Sequence, residues 1–269
     1  MVIIGIYLFI IGCCLGSFIN VISYRLPLNE SIIYPRSSCP KCKTKINWFD
    51  NLPVISWLIL KGKCRFCLNK ISLFYPLVEL LTGILVFLNI FAQPSLYIDL
   101  QESLIIFLSI IFTFLLITLA ILDFRYFWLP KFITLGGIFM GISISVIIDL
   151  LNDVSHFNYS IYSITASLLG YIIFYLLSFI GLKIFKKPVM GAGDAKLSAL
   201  IGSWLGIKGL FISIWLGFYT AGIFVILGLM FRKIKRNQKI PFGVFLASSG
   251  LIVWLFGNPS LMKIINLEF

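Results

Sequence analysis

Apolar runs of roughly twenty residues recur along this chain, at 3–23, 73–92, 103–121, 132–150, 161–182 and 209–231. A helix needs about 20 apolar residues, at about 1.5 Å each, to cross the hydrocarbon core of a bilayer. Only 12% of the residues are charged and mean hydropathy is +1.04, whereas soluble domains carry about 25% charged residues. The expected fold is therefore an all-α polytopic membrane protein. Two further segments, 196–207 and 242–257, are short and contain glycine, so they read as tilted or partly re-entrant spans. Together these give about eight crossings. The first run lacks a basic leader and ends in Tyr24-Arg25 rather than a small-residue cleavage site, so it reads as a retained span rather than a signal peptide.

The polar remainder sets the domain organisation and the orientation. Residues 1–24 form the first transmembrane helix, 25–71 a polar loop domain, and 72–269 the membrane-embedded core. Twenty of the 22 Lys and Arg residues fall in four segments, 25–70, 122–131, 183–196 and 232–239. With eight crossings all four face the same side, which the positive-inside rule makes the cytoplasm. The formal charge of +12 thus reports orientation and attraction to anionic lipid, not a nucleic-acid role.

Acidic residues are scarce, ten in 269, so each is informative. Asp123 follows Leu122 at the end of the third span. Asp194 closes Gly191-Ala192-Gly193-Asp194 at the start of the sixth. Both fall on the cytoplasmic side. Ionisable groups beside a membrane span are costly and point to function. Two carboxylates that meet in a low-dielectric site share a proton, which is acid/base chemistry for peptide hydrolysis. The competing reading is that each caps a helix, Asp194 as an N-cap. Glu79 lies inside the second span; it either pairs with a nearby Lys or Arg or binds a ligand. Asp99, Glu102, Asp149 and Asp153 read as external-loop residues.

The loop domain carries Cys39-Pro-Lys-Cys42 and Cys64-Arg-Phe-Cys67, with 21 residues between the pairs. Two such knuckles form a tetrahedral thiolate site for Zn²⁺. Two disulfides are the alternative, disfavoured in a reducing cytosol. Four protein ligands close the coordination shell, so the zinc is structural, a staple for a segment too short to build much core. Cys13 and Cys14, in the first span, read as packing residues. The stretch from Gly16 to Pro27 holds small residues suited to close helix packing, and Asn20, which needs a partner across helices. The one histidine, His156, reads as a solvated external residue, so Ser–His and Cys–His catalysis have no support.

Taken in order, several segments resemble the prepilin peptidases, or type IV leader peptidases, over nearly the whole chain. They are Gly16–Pro27, the four-cysteine loop with Asn51–Leu58, Ile71–Glu79, Asp123–Pro130, Gly191–Leu197 and Pro241-Phe242-Gly243. The resemblance implies that Asp123 and Asp194 are the catalytic aspartates of a membrane aspartyl peptidase, making 72–269 its core. It implies prepilin and pseudopilin substrates of pilus and type II secretion systems, cut after a glycine that ends a short basic leader. It further implies location in the bacterial inner membrane. The zinc loop resembles that of bifunctional members, which also methylate the new N-terminal amine with S-adenosylmethionine. No spacing in the chain marks a methyl-donor site; Glu79 and the loop are the candidates. Two departures stand out: Lys131 where the family often has an acidic or amide residue, and Val244 where it often has proline. A basic leader meeting a basic enzyme face requires anionic lipid or a local acidic pocket to offset repulsion. The other readings are a Gly-x-Gly-Asp protease of the presenilin-like type, and a non-enzymatic zinc-bearing membrane assembly protein or transporter.

Overall fold

A computed structural model describes residues 2–90, 100–151, 158–186, 190–235 and 238–257. Asp99, Asp153 and His156 lie outside the described residues. Within them the chain forms eight α-helices and no multi-residue strand: α1 (Val2–Arg25), α2 (Ile55–Ile59), α3 (Phe74–Leu88), α4 (Leu100–Tyr126), α5 (Lys131–Leu151), α6 (Asn158–Phe185), α7 (Ala192–Met230) and α8 (Phe242–Phe256). Five of them, α1, α4, α5, α6 and α7, are long and apolar enough to cross a membrane; α3 and α8 are shorter apolar helices. The chain divides into two compact units, residues 1–114 and 115–269.

In the first unit α1 and α3 pack antiparallel at backbone contact. A Cβ built on Gly12 would lie 2.8 Å from Gly83 Cα, and one on Gly16 would lie 2.7 Å from Glu79 Cα. Gly12 and Gly16 are four residues apart on one face, the spacing that lets membrane helices approach closely. Cys13 fills the remaining space against Gly83 and is buried, so its reading as a packing residue holds; Cys14 is exposed. The loop domain between these helices is built from two turns, Ser38–Lys45 and Lys63–Lys70, each closed by an isolated antiparallel bridge.

The second unit is organised around α7. Its first arm runs antiparallel to α6: the Ser163 hydroxyl donates to Ser203 O at 2.7 Å, and Gly170 sits against the Ser198 carbonyl. One turn further along α6, the Phe174 ring stacks on Phe218 at 6.1 Å, and both rings meet Phe242. Phe218 follows Gly206 by as many residues as Asp194 precedes it, so the helix turns back at Gly206. There φ is 67° and ψ is −172°, a conformation that essentially only glycine adopts. The segments expected at 196–207 and 209–231 are thus the two arms of α7, with the break one residue before Ile207.

Two expectations are corrected. Asp149 is not a loop residue: it lies in the last turn of α5 and is 2% exposed. Its carboxylate accepts the Tyr159 N–H at 3.1 Å, the Ser160 N–H at 2.8 Å and the Ser160 hydroxyl, so it caps α6. A charge inside a helix C-terminus is costly alone, but the free N–H groups that open the next helix neutralise it. Glu102 likewise belongs to the first turn of α4 rather than to a loop.

Candidate active site and metal centre

Asp123 sits in the last turn of α4 and is 6% exposed; Asp194 sits at the third position of α7 and is 9% exposed. The fold brings these two residues, 71 apart in sequence, close enough for their charges to interact. The connection is built by small residues. Helix α4 ends where Phe127 takes φ 52° and donates its N–H to Asp123 O at 2.9 Å. The following turn packs Leu129 on Gly193, where any side chain would lie 3.1 Å from Leu129 Cβ. Gly191 donates its N–H to Asp194 Oδ2 at 3.1 Å. Gly193 therefore has a local reason, since it admits the neighbouring turn, whereas the Gly191 contact is a backbone donor that any residue but proline supplies. The capping role weighed for Asp194 is real in part, since it holds the N–H of Gly191, the N-cap, from inside the helix rather than acting as N-cap itself.

The Asp123 carboxylate faces the opening of α8. The first turn of α8 lies against it, with the Gly243 and Val244 amides nearby, and a Cβ on Gly243 would stand 2.8 Å from Oδ2. Oδ2 is buried and has no hydrogen-bond partner. A buried carboxylate oxygen without a partner is rare and calls for an explanation such as a water or a catalytic role. Sequence reading quoted Pro241-Phe242-Gly243 as a motif but assigned it no contact; its helix-opening amides are part of the site. Val244 supplies an N–H that a proline there could not.

Cys39, Cys42, Cys64 and Cys67 converge in the loop domain, with their sulfurs all within 4.8 Å of one another and Cys39 Sγ 3.8 Å from Cys67 Sγ. Tetrahedral Zn–S bonds of about 2.3 Å put sulfurs about 3.8 Å apart, so the donor set and its geometry fit zinc. All four thiols are free. The two knuckles repeat each other. In the first, Cys39 N–H donates to Thr44 O and Lys43 N–H to Cys39 O; in the second, Cys64 N–H donates to Asn69 O and Leu68 N–H to Cys64 O. Lys43 and Leu68 occupy the same left-handed position, at φ 58° and 56°. Hydrogen bonds favour thiolates here. Thr44, through side chain and backbone, holds Cys42 down to about 6, and the N–H groups of Cys67 and Phe66 lower Cys64. The Asn69 N–H pulls Cys67 the same way, but burial and its bonds to the other sulfurs outweigh it and push this thiol up to about 11. Arg65, inside the second knuckle, forms a two-pronged pair with Asp50, Nη2 at 2.6 Å from Oδ1 and Nε at 2.9 Å from Oδ2.

Glu79 has no cationic partner among the described residues. Its Oε2 accepts the Val54 N–H at 2.7 Å, and the Ser17 side chain also bonds it. Of the two expectations for this residue, pairing with Lys or Arg is not what the structure shows.

These observations define a multi-pass α-helical membrane protein with a buried carboxylate pair and a four-thiolate loop. Comparison with known proteins places it further. The Bacterial Peptidase A24 N-terminal domain matches residues 10–93, and the Type IV leader peptidase family matches residues 110–227. A prepilin leader peptidase/N-methyltransferase of Myxococcus xanthus (strain DK1622) is 32% identical, over 96% of this chain and 73% of its own length. One from Bacillus subtilis (strain 168) is 32% identical over 93% of this chain and 94% of its own. One from Neisseria gonorrhoeae is 30% identical over 96% and 92%. No solved structure matches. The chain belongs to the type IV leader peptidase family, and it is a peptidase.

Proposed function

We propose that this protein removes the basic leader from prepilins and pseudopilins by aspartyl catalysis, cutting after glycine at the cytoplasmic face of the bacterial inner membrane. One observation carries the mechanism. Asp123 and Asp194, from separate helices, are buried within reach of each other's charge, and Asp123 Oδ2 has no partner. Two such carboxylates cannot easily both ionise, so they hold one proton between them. The ionised member takes a proton from water as it attacks the scissile carbonyl carbon. The protonated member donates to the carbonyl oxygen. The C–N bond then breaks as the leaving amine takes the proton held by the first carboxylate, while the second takes back the proton of the tetrahedral intermediate's hydroxyl as the carbonyl re-forms, so the dyad again holds one proton. The first turn of α8, at Gly243, packs against the Asp123 carboxylate while this occurs.

The four basic segments support a site on the cytoplasmic side, where a leader awaiting removal lies. Cys39, Cys42, Cys64 and Cys67 would hold a structural Zn²⁺, with no role in the cleavage step. The relatives' names support a second activity, methylation of the new N-terminal amine; S-adenosylmethionine supplies the methyl group when bound. Glu79 is the candidate residue for that chemistry.

The test is purified full-length protein incubated with a prepilin, with and without S-adenosylmethionine, and the product's N-terminus read by mass. Asp123→Asn and Asp194→Asn each leave protein in the membrane and abolish cleavage. Cleavage that persists in both variants overturns the dyad.

A further inference from the structure

Glu79, Ser17 and Asn20 form a polar cluster where α1 and α3 meet, below the loop domain. Glu79 is 8% exposed and Asn20 is 3% exposed. Across the antiparallel pair, Ser17 faces Glu79, and Asn20 Nδ2 donates to Tyr75 O at 3.1 Å. Tyr75 and Glu79 are one helical turn apart, as are Ser17 and Asn20, so the Glu79 carboxylate and the Asn20 amide lie about one turn, ~5.4 Å, from each other along the interface. Asn20 Oδ1 is buried and has no hydrogen-bond partner. The cluster thus holds a negative charge without a counter-ion and an orphaned acceptor beside it. Both lacks point to the same kind of ligand, a cation that carries N–H donors. Leaving a buried acceptor unpaired is costly, and such a cation removes that cost.

The group that covers Glu79 is under strain. Pro53, Val54 and Ile55 form a γ-turn, with Ile55 N–H donating to Pro53 O at 2.6 Å. Its centre, Val54, has φ 61° and ψ −51°, close to the rare positive-φ form of that turn. For a β-branched residue this is a genuine outlier and a strained one. The Val54 N–H then satisfies one acceptor of a cluster that offers more.

We propose that the Glu79 carboxylate and Asn20 Oδ1 form a recognition site for an organic ammonium group, and that the strained Val54 N–H is the latch this group displaces. An ammonium brings three N–H donors, enough for the carboxylate and the amide oxygen together. The choice of ligand rests on the N-methylation reading. Both participants in that reaction carry the chemistry: the amino group of S-adenosylmethionine and the new N-terminal amine of the cut pilin.

The test is calorimetric titration of the full-length protein with paired probes, one member with the free amine and one without it. One pair is S-adenosylhomocysteine against methylthioadenosine, which lacks the amino-acid group. The other is a peptide matching a mature pilin N-terminus against its N-acetylated form. Glu79→Gln weakens binding of the free-amine member of one pair by about ten- to hundred-fold, the loss expected for a charge-assisted hydrogen bond. The member without the amine is unchanged. Which pair responds assigns the source. Asn20→Ala gives a smaller loss on the same pair. Val54→Gly, which relaxes the turn and tightens the latch, weakens the same ligand about five-fold or more. A purely structural role for Glu79 would shift both members of each pair alike, or neither, and either result overturns the site. Tighter binding by Val54→Gly overturns the latch. Methyl transfer by the wild-type protein is measured alongside, and its absence counts against the N-methylation reading alone, because the binding comparison reads the site directly.

Discussion

Gly243 stands so close to Asp123 that a methyl group on its Cα would lie 2.8 Å from Oδ2. The first turn of α8 can therefore press its amides on the carboxylate only while residue 243 has no side chain. Gly243→Ala is expected to push the carboxylate off the α8 amides. A displacement of about 1 Å at a catalytic group costs on the order of a hundred-fold in rate, while the melting temperature changes little because the neighbour is a side-chain end. The measurement is kcat on a prepilin beside a thermal melt in detergent. Full activity in the variant would remove the α8 contact from the mechanism.

Gly206 poses the opposite case. A Cβ there meets nothing within 4 Å, yet φ is 67°. Space is available but the conformation is not, since ψ of −172° puts the residue in a region reserved for glycine. Gly206→Ala is expected to destabilise the protein by about 1–3 kcal/mol through the reversal of α7. The first arm also carries Asp194, so activity should fall along with stability. A melting temperature equal to wild type would show that the two arms are joined some other way.

Much of this architecture was legible in the apolar runs, because a helix in lipid must satisfy its own backbone and so writes its length into the sequence. The break in α7 was legible as two short runs, 196–207 and 209–231, lying end to end with almost nothing between them. That the pair is one helix folded on Gly206 was not, since a single positive φ leaves no compositional mark. Asp123 and Asp194 stood out because carboxylates are scarce. Asp149 stood out equally and was misplaced in a loop, because its partners are backbone N–H groups of Tyr159 and Ser160, which every sequence contains. The amides of Gly243 and Val244 were invisible for the same reason. The partner of Glu79 was looked for among Lys and Arg, and it proved to be the Val54 N–H.

The loop domain should lose stability in acid by a small and signed amount. The Arg65 guanidinium, bonded to both oxygens of Asp50, holds that carboxyl below its ordinary range. A lowered folded value means that the contribution is fully present above the ordinary carboxylate range, which applies to the unfolded chain. It is lost as pH falls through the lowered value. Half-exposed Arg65 keeps the effect small, since water screens the pair. Asp50→Asn should remove this pH dependence between about pH 5 and 2. Hydrogen exchange of the Trp48–Arg65 amides against pH, in wild type and variant, measures it; parallel curves would show that the pair contributes nothing.

Asp149 offers the last check, since its hydrogen bonds go to Tyr159 and Ser160 and to neither a catalytic residue nor a metal ligand. Its carboxylate holds two N–H groups that open α6 and the Ser160 hydroxyl, the two bonds from Ser160 being buried. Asp149→Ala removes the acceptor and leaves the hydroxyl and both amides without it, so the cost should exceed that of an ordinary exposed cap, reaching about 2 kcal/mol or more. Asp149→Asn keeps one acceptor oxygen and should recover part of that loss. Because the residue serves α6 alone, the loss is expected in melting temperature, with the KM for prepilin unchanged in the folded fraction. Equal stability of both variants and the wild type would mean that α6 is capped by other groups, and a raised KM at normal stability would place Asp149 in substrate binding instead.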